Sequence, residues 1–221
     1  LRGTRSDPVV VTRDAASEEP WGTIGVVGAA ANASVIRHVR FRGGSKDSFE
    51  RIEFSGMLSI HSADSVLVDS CSFEGGSLGD DALRIAGSHG FLLQGSRFRD
   101  CYSDCVDIDL SRGSVQNVRV QGARNDGIDI MSGRVQLTGI DIERAGDKGL
   151  SFGEGTDVTV VNSRVAQCKL GIALKDGSKI DVYETTFAAN RQLFSSYSKN
   201  AWYSGLSRAR FIGVDLTDQP K

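Results

Sequence analysis

A chain of 221 residues can bury a sizeable core, and 26 Lys plus Arg against 28 Asp plus Glu leave a net charge of −2, so the charge balance makes no case for a nucleic-acid or membrane-surface partner. No window is apolar enough to cross a bilayer, so no membrane insertion is expected. Twenty-six glycines against three prolines, with abundant Val, Ile, Ser and Asp, favour short strands joined by tight turns over helices.

The opening, LRGTRSDPVVV, has no basic segment followed by an apolar one, so no signal peptide is read there. It resembles a cut inside a longer protein, with a further domain expected upstream. Residues 1–56, which include WGTIGVVG and SVIRHVRFRGG, read as wider, less regular coils. From residue 57 a repeat sets in, with units beginning at 57, 82, 105, 127, 149 and 171. Each unit has an apolar-x-apolar strand, a Gly/Ser/Asp turn and a second strand. The second strand carries apolar pairs seven residues apart: Val66 and Phe73, Phe91 and Phe98, Val135 and Ile142, Val158 and Val165, Ile180 and Phe187.

A period of 22 is too short for a strand–helix–strand unit, and neither the leucine-rich LxxLxLxxN pattern nor GGxGxD calcium repeats occur. The spacing predicts one all-β domain, a parallel β-helix whose regular coils span 57–192. Residues 193–221 are aromatic-rich and break the pattern, as expected of a final coil or an irregular C-terminal cap. Cys71, Cys101, Cys105 and Cys168 form no CxxC pair, so zinc is not expected. Their even number permits disulfides, while a solenoid setting favours small buried thiols.

Equivalent residues of successive coils stack about 4.8 Å apart. Leu58, Leu83, Val106, Ile128, Leu150 and Ile172 then form one inward ladder, and Ile60, Ile85, Ile108, Ile130, Phe152 and Leu174 another. Alternation turns Ser59, Arg84, Asp107, Asp129, Ser151 and Ala173 outward, and likewise His61, Ala86, Asp109, Met131, Gly153 and Lys175. The preceding corner carries Gly56, Asp81, Asp104, Asp126, Lys148 and Leu170. Asp81, Asp104, Asp107, Asp109, Asp126 and Asp129 therefore converge, with Arg84 and Lys148 at the two ends.

Carboxylates at that spacing repel by roughly 3–4 kcal/mol at an effective dielectric near 20. A bound cation, a shared proton or salt bridges to Arg84 and Lys148 would relieve this. Corner aspartates can also simply accept hydrogen bonds from turn amides. Asp104, Asp107, Asp109, Asp126 and Asp129 are the candidate ligands of a calcium ion. Asp81, His61, Glu154 and Lys175 are the candidate substrate contacts around them. The segment YSKNAWY, 197–203, could offer a stacking aromatic or pack as part of a cap.

The coil pattern over roughly 22–190 resembles the right-handed parallel β-helix proteins typified by pectate lyases, polygalacturonases and mannuronan epimerases. WGTIGV, SGMLSIH, DCVDIDL, NDGIDI, GDKGLSFGE and KDGS are also similar to β-helix regions of bacterial extracellular proteins, some joined to a CotH-type domain. The resemblance implies a right-handed, single-stranded solenoid, a secreted or cell-surface location and a polysaccharide partner. It further implies chemistry in which a cation and an arginine neutralise a uronate carboxylate while a base removes the C5 proton. Asp104, Asp107, Asp126 and Asp129, with Arg84 or Lys148 as base, match those parts. The polygalacturonase set and the DPHD element of the epimerases are not matched. The resulting expectation is calcium-assisted lyase or epimerase action on a uronate-containing glycan, or else a non-catalytic glycan-binding or spacer module.

Overall fold

The computed structural model describes residues 1–79, 81–203 and 205–218. Three parallel sheets wind around one apolar core, and the chain visits them in turn in every coil. One of them, the face sheet, runs through Ile24–Val27, Gly56–His61, Asp81–Ala86, Asp104–Asp109, Ile128–Met131, Lys148–Gly153, Leu170–Lys175 and Gln192–Tyr197. The observed architecture is thus a parallel β-helix. Its register matches the ladders read from the sequence: Leu58, Leu83, Val106, Ile128, Leu150 and Ile172 are mutual neighbours, as are Ile60, Ile85, Ile108, Ile130, Phe152 and Leu174. All twelve are fully buried. With alternation fixed at two, a one-residue slip would turn both ladders to the outside, so the register is strongly specified.

The core also stacks aromatics along the axis. Phe41, Phe73 and Phe98 occupy one rung position of a second sheet, with ring centroids 4.7 and 4.6 Å apart and planes within 9°. Such pairs contribute about 0.5–1.5 kcal/mol each beyond the area they bury. Corners are satisfied by buried hydroxyls and one amide: Ser88 Oγ accepts from Ala63 N, Ser111 Oγ from Ser88 N, Ser163 Oγ from Ile140 N and Asn190 Oδ1 from Cys168 N. Gly149 enters the face sheet where an added Cβ would lie 2.4 Å from Val165 Cγ1 and 3.0 Å from the Gly171 carbonyl oxygen. Only glycine lets the backbone pass so close there.

One feature was not legible in the sequence. Asp47–Phe49 and Ile52–Phe54 form an antiparallel hairpin that leaves the first coils sideways. Its two-residue turn, Glu50 and Arg51, has positive φ at both positions, as the strand twist demands. At the other end, Gln192–Tyr197, Arg208–Ile212 and Asp215–Thr217 continue all three sheets, so of the two alternatives, a final coil or a cap, this stretch forms a coil, with 198–203 as a lateral excursion. The last three residues of the span expected to form the end, 219–221, lie outside the described residues.

The expectation of four small buried thiols is corrected in part. Cys101 and Cys105 are joined by a disulfide, because the turn between adjacent strands brings their Cα atoms to 5.3 Å. Cys71 and Cys168 are free and buried, and burial pushes both thiols up to about 11.

Candidate functional site

The outward ladders form as expected: Ser59, Arg84, Asp107, Asp129, Ser151 and Ala173 are successive neighbours on the face sheet. Four of these six side chains are shielded from solvent, however: Ser59, Ser151 and Ala173 are completely buried and Asp107 is only 9 % exposed. Arg84 and Asp129 are partly exposed. Two lateral excursions flank the face. Phe54 of the hairpin lies against His61 and over Gly25, and Ser55 donates to Asp81 Oδ2 at 2.5 Å. At the far end Asp176 Oδ1 accepts from the backbone N–H groups of Lys199 and Asn200, at 2.6 and 2.8 Å. Tyr203 Oη lies 3.4 Å from Ser132 Oγ. The aspartates therefore line a trough between two walls.

Arg84 sits in the middle of one half. Its Nη1 donates to Asp107 Oδ2 at 2.5 Å and lies 3.8 Å from Asp81 Oδ2, and its Nη2 donates to Asp109 Oδ2. Lys148 holds the other half: Nζ donates to Asp126 at 3.2 and 3.4 Å and to Asp147. Lys175, expected as a substrate contact, is buried; its Nζ donates to Ser151 Oγ at 2.9 Å and lies 3.7 Å from Asp129 Oδ1.

The corner aspartates serve the fold as well. Asp104 Oδ1 accepts from Asp126 N and Asn125 Nδ2, both at 2.7 Å, and Asp126 Oδ1 accepts from Lys148 N at 3.0 Å. One oxygen of Asp104, Asp126 and Asp129 each lies within 4.8 Å of the others, the spacing of a three-carboxylate cation cradle. Asp129 Oδ1 is buried with no hydrogen-bond partner, an orphan that a cation would satisfy. The residues present thus fit a hard divalent ion.

Six carboxylates share three cations, Arg84, Lys148 and Lys175, so the trough carries an excess of negative charge if all are ionised. Burial, then the charges of Asp126, Asp81 and Asp129, pushes Asp104 up to about 7, against the Asp126 amide. Burial, then Asp81 and Asp109, pushes Asp107 up to about 9, against Arg84. Asp109 moves the same way through burial, opposed by Arg84, and Asp126 through burial, opposed by Lys148. Burial thus pushes both carboxyls forked on this guanidinium toward the protonated form, against its charge.

The charge partners of Lys148 and Arg84 weigh against the expected base role. Burial disfavours the ammonium, but Asp147 and Asp126 outweigh it and hold the Lys148 pKa above its ordinary value. Arg84 is committed to carboxylates and stays cationic. Both set charge; neither takes a proton.

His61 is half-buried against Phe54, 5.1 Å between centroids, with Nε2 unpartnered; burial and then Arg84 lower its pKa, keeping the imidazole neutral. Glu154 occupies the turn after its strand with φ 52°, and burial raises its pKa. Side-chain exposure separates the acids: Asp129 is 28 % exposed, against 13 % for Asp107 and 3 % for Asp126. Sequence reasoning missed Ser55, Asn125 and Asp147, and placed Ser151 on the outward ladder without giving it a role. Ser55 is a small polar residue whose position gave no signal, whereas Asp147 beside Lys148 was readable as an ion-pair competitor.

The family model for the right handed beta helix region matches residues 81–207. No curated protein matches the chain by sequence. Among solved structures, it is similar to the periplasmic alginate epimerase AlgG (TM-score 0.64, 12 % identity, 84 % of this chain and 49 % of that one). It is also similar to an alginate lyase from Paenibacillus sp. str. FPU-7 (0.55, 11 %, 98 % and 84 %) and to a Family 28 exopolygalacturonase from Yersinia enterocolitica (0.59, 9 %, 90 % and 58 %). The chain spans about half the length of the epimerase, and at these identities the likeness is one of fold.

Proposed function

The chain belongs to the right handed beta helix family, and on that premise we propose that it processes an extracellular polysaccharide, with proton-transfer chemistry on a uronate-containing glycan in the carboxylate trough. The observation that carries this reading is the geometry of one walled trough, in which the partly exposed Asp129 neighbours the buried Asp107 on the next coil, with Arg84, Lys148 and Lys175 fixed around them. Burial pushes Asp107 toward its protonated form, the state an acid needs.

Lyase and epimerase reactions share a first step, removal of the proton on C5 of the uronate. In this proposal Asp129 accepts it, and the bond electrons pass toward the uronate carboxyl, which Arg84 and Lys148 face with positive charge. For elimination, Asp107 donates its proton to the O4 leaving group as the C4–O bond breaks and a C4=C5 double bond forms. For epimerisation, a solvent water gives a proton to C5 from the opposite side, and Asp129 returns the one it took to the hydroxide so formed. Asp104, Asp126 and Asp129 would hold a calcium ion, which when bound supplies Lewis-acid charge to the substrate carboxyl. The disulfide favours an oxidising compartment, which supports secretion or the cell surface.

The test is turnover of polyuronates by wild type, Asp129→Asn and Arg84→Ala, following unsaturated product by ultraviolet absorbance and C5 inversion by NMR. Loss of turnover in both variants with melting unchanged supports the reading; turnover that survives both rejects it. The corner hydrogen bonds of Asp104 and Asp126 favour a second reading, a non-catalytic glycan-binding or spacer rod. That reading requires no turnover by wild type on any polyuronate, together with calcium-independent melting.

A further inference from the structure

A second polar cleft, of about 610 Å³, lies off the face sheet and is lined by Arg5, His38, Arg40, Ser72 and Arg97 among others, with no carboxylate in its wall. We propose that it binds a sulfate or phosphate ester group carried on a sugar. Arg40, Ser72 and Arg97 are consecutive rungs of one outward ladder. The small serine leaves a gap between two guanidiniums whose backbones stand about 10 Å apart, two strand spacings. Arg5 is brought over the gap by a turn in which Thr4 N donates to the Asp7 carbonyl oxygen and Asp7 N to Thr4 Oγ1. Gly3 N and Val9 N, donating to the Arg37 and His38 carbonyl oxygens, fasten both ends of that turn.

The ion-pair pattern singles these arginines out. Neighbouring Arg37, Arg42, Arg99 and Arg119 each reach an aspartate or glutamate, at 2.7, 3.4, 3.4 and 3.2 Å. Arg5, Arg40 and Arg97 form no ion pair with any described carboxylate. Two acids adjoin the cleft wall in sequence: Asp69 is already held by Arg37 and Ser70, and Asp7, in the turn that carries Arg5, forms no ion pair with a described cation. Three guanidiniums lining one cleft without a paired counter-charge repel one another, and a tetrahedral oxyanion offsets that repulsion while matching their planar forks. A sulfate or phosphate ester, with three terminal acceptor oxygens and one to two negative charges, serves three donors better than a single carboxylate does. This site is on another sheet from the carboxylate trough and does not depend on it.

The test is calorimetric titration with a sulfated disaccharide, the matching sugar phosphate, the unmodified sugar and inorganic sulfate. Arg40→Ala and Arg97→Ala are compared with Arg112→Ala, an equal charge loss outside the cleft, and with Asp129→Asn in the trough. The expected result is binding of an ester-bearing sugar that falls about ten-fold in each cleft variant and is kept in Arg112→Ala and Asp129→Asn. No binding of either ester, equal loss in Arg112→Ala, or retention in both cleft variants overturns the proposal. Inorganic sulfate binding as tightly as the ester also overturns it, by showing a free-ion site, as does equal binding of the unmodified sugar.

Discussion

Asp104 Oδ1 accepts the backbone N–H of Asp126 at 2.7 Å, one coil further along the solenoid. The carboxylates that crowd the trough are thus also the clasps that join its coils, and the two roles can be separated by substitution. Asp104→Asn keeps a carbonyl oxygen for the amide and removes a charge. Asp104→Ala leaves a buried N–H without a partner, which costs about 1–3 kcal/mol. Denaturant unfolding should therefore find Asn close to wild type and Ala destabilised by that amount. A calcium-induced rise in melting midpoint should be reduced in both, because each removes a cradle carboxylate.

The pH dependence has a definite sign. Asp104 and Asp107 titrate near 7 and 9 when folded, well above an unfolded carboxylate near 3.8. The folded state then binds more protons than the unfolded chain, so stability is fully present below the unfolded value and is lost as pH rises through the folded ones. In metal-free buffer the melting midpoint should fall between pH 5 and 9, by roughly 2–4 °C for each kcal/mol lost. Asp107→Asn should flatten that slope, and calcium should oppose it. A midpoint that rises over this range would contradict the proton-retaining trough.

Leu110 has φ 51° and is exposed in the turn that follows Asp109. Equivalent turns place Ser62, Gly87, Ser132, Glu154 and Asp176 in the same left-handed conformation, so the turn imposes it and leucine does not choose it. A left-handed residue with a Cβ costs about 1–2 kcal/mol, part of which glycine returns through its greater freedom when unfolded. Leu110→Gly should raise stability by about 0.5–1 kcal/mol, read as a shift of the urea midpoint at unchanged slope.

How far the sequence could be read follows from which interactions are periodic. Stacking repeats every coil, so the inward ladders, the Asp107–Asp129 neighbour pair and the convergence of acids on one face were all legible in the 22-residue spacing. The walls of the trough were not, because the hairpin at 47–54 and the excursion at 198–203 each occur once. The ladder alone reads Asp107 as solvated and Lys175 as a reachable cation; both are buried. The base reading of Lys148 rested on the ladder alone. The competing partner of Lys148, Asp147, is its own chain neighbour and lies outside the ladder pattern. The Cys101–Cys105 bridge depends on the path of one turn, which cysteine spacing does not set.

Asp176 governs the C-terminal wall. It is 2 % exposed, and its Oδ1 takes the amides of Lys199 and Asn200 while Oδ2 is buried without a partner. Because one carboxylate oxygen carries both clasps, Asp176→Ala should release 198–203 from the sheet while the coils beneath keep their own hydrogen bonds. Local opening of this kind is read by amide exchange: Lys199 and Asn200 should lose protection, whereas Ile172 and Leu174, inside the core, should keep theirs. Asp176→Asn retains the accepting oxygen and gives the orphaned position a donor, so it should preserve the wall. Uncovering Lys175 should also weaken its hold on Ser151 and Asp129, so in Asp176→Ala the calcium response of the melting midpoint should change without any substitution in the cradle. Unchanged exchange at Lys199 and Asn200 would show that the wall is held by other contacts, such as Tyr203 with Ser132.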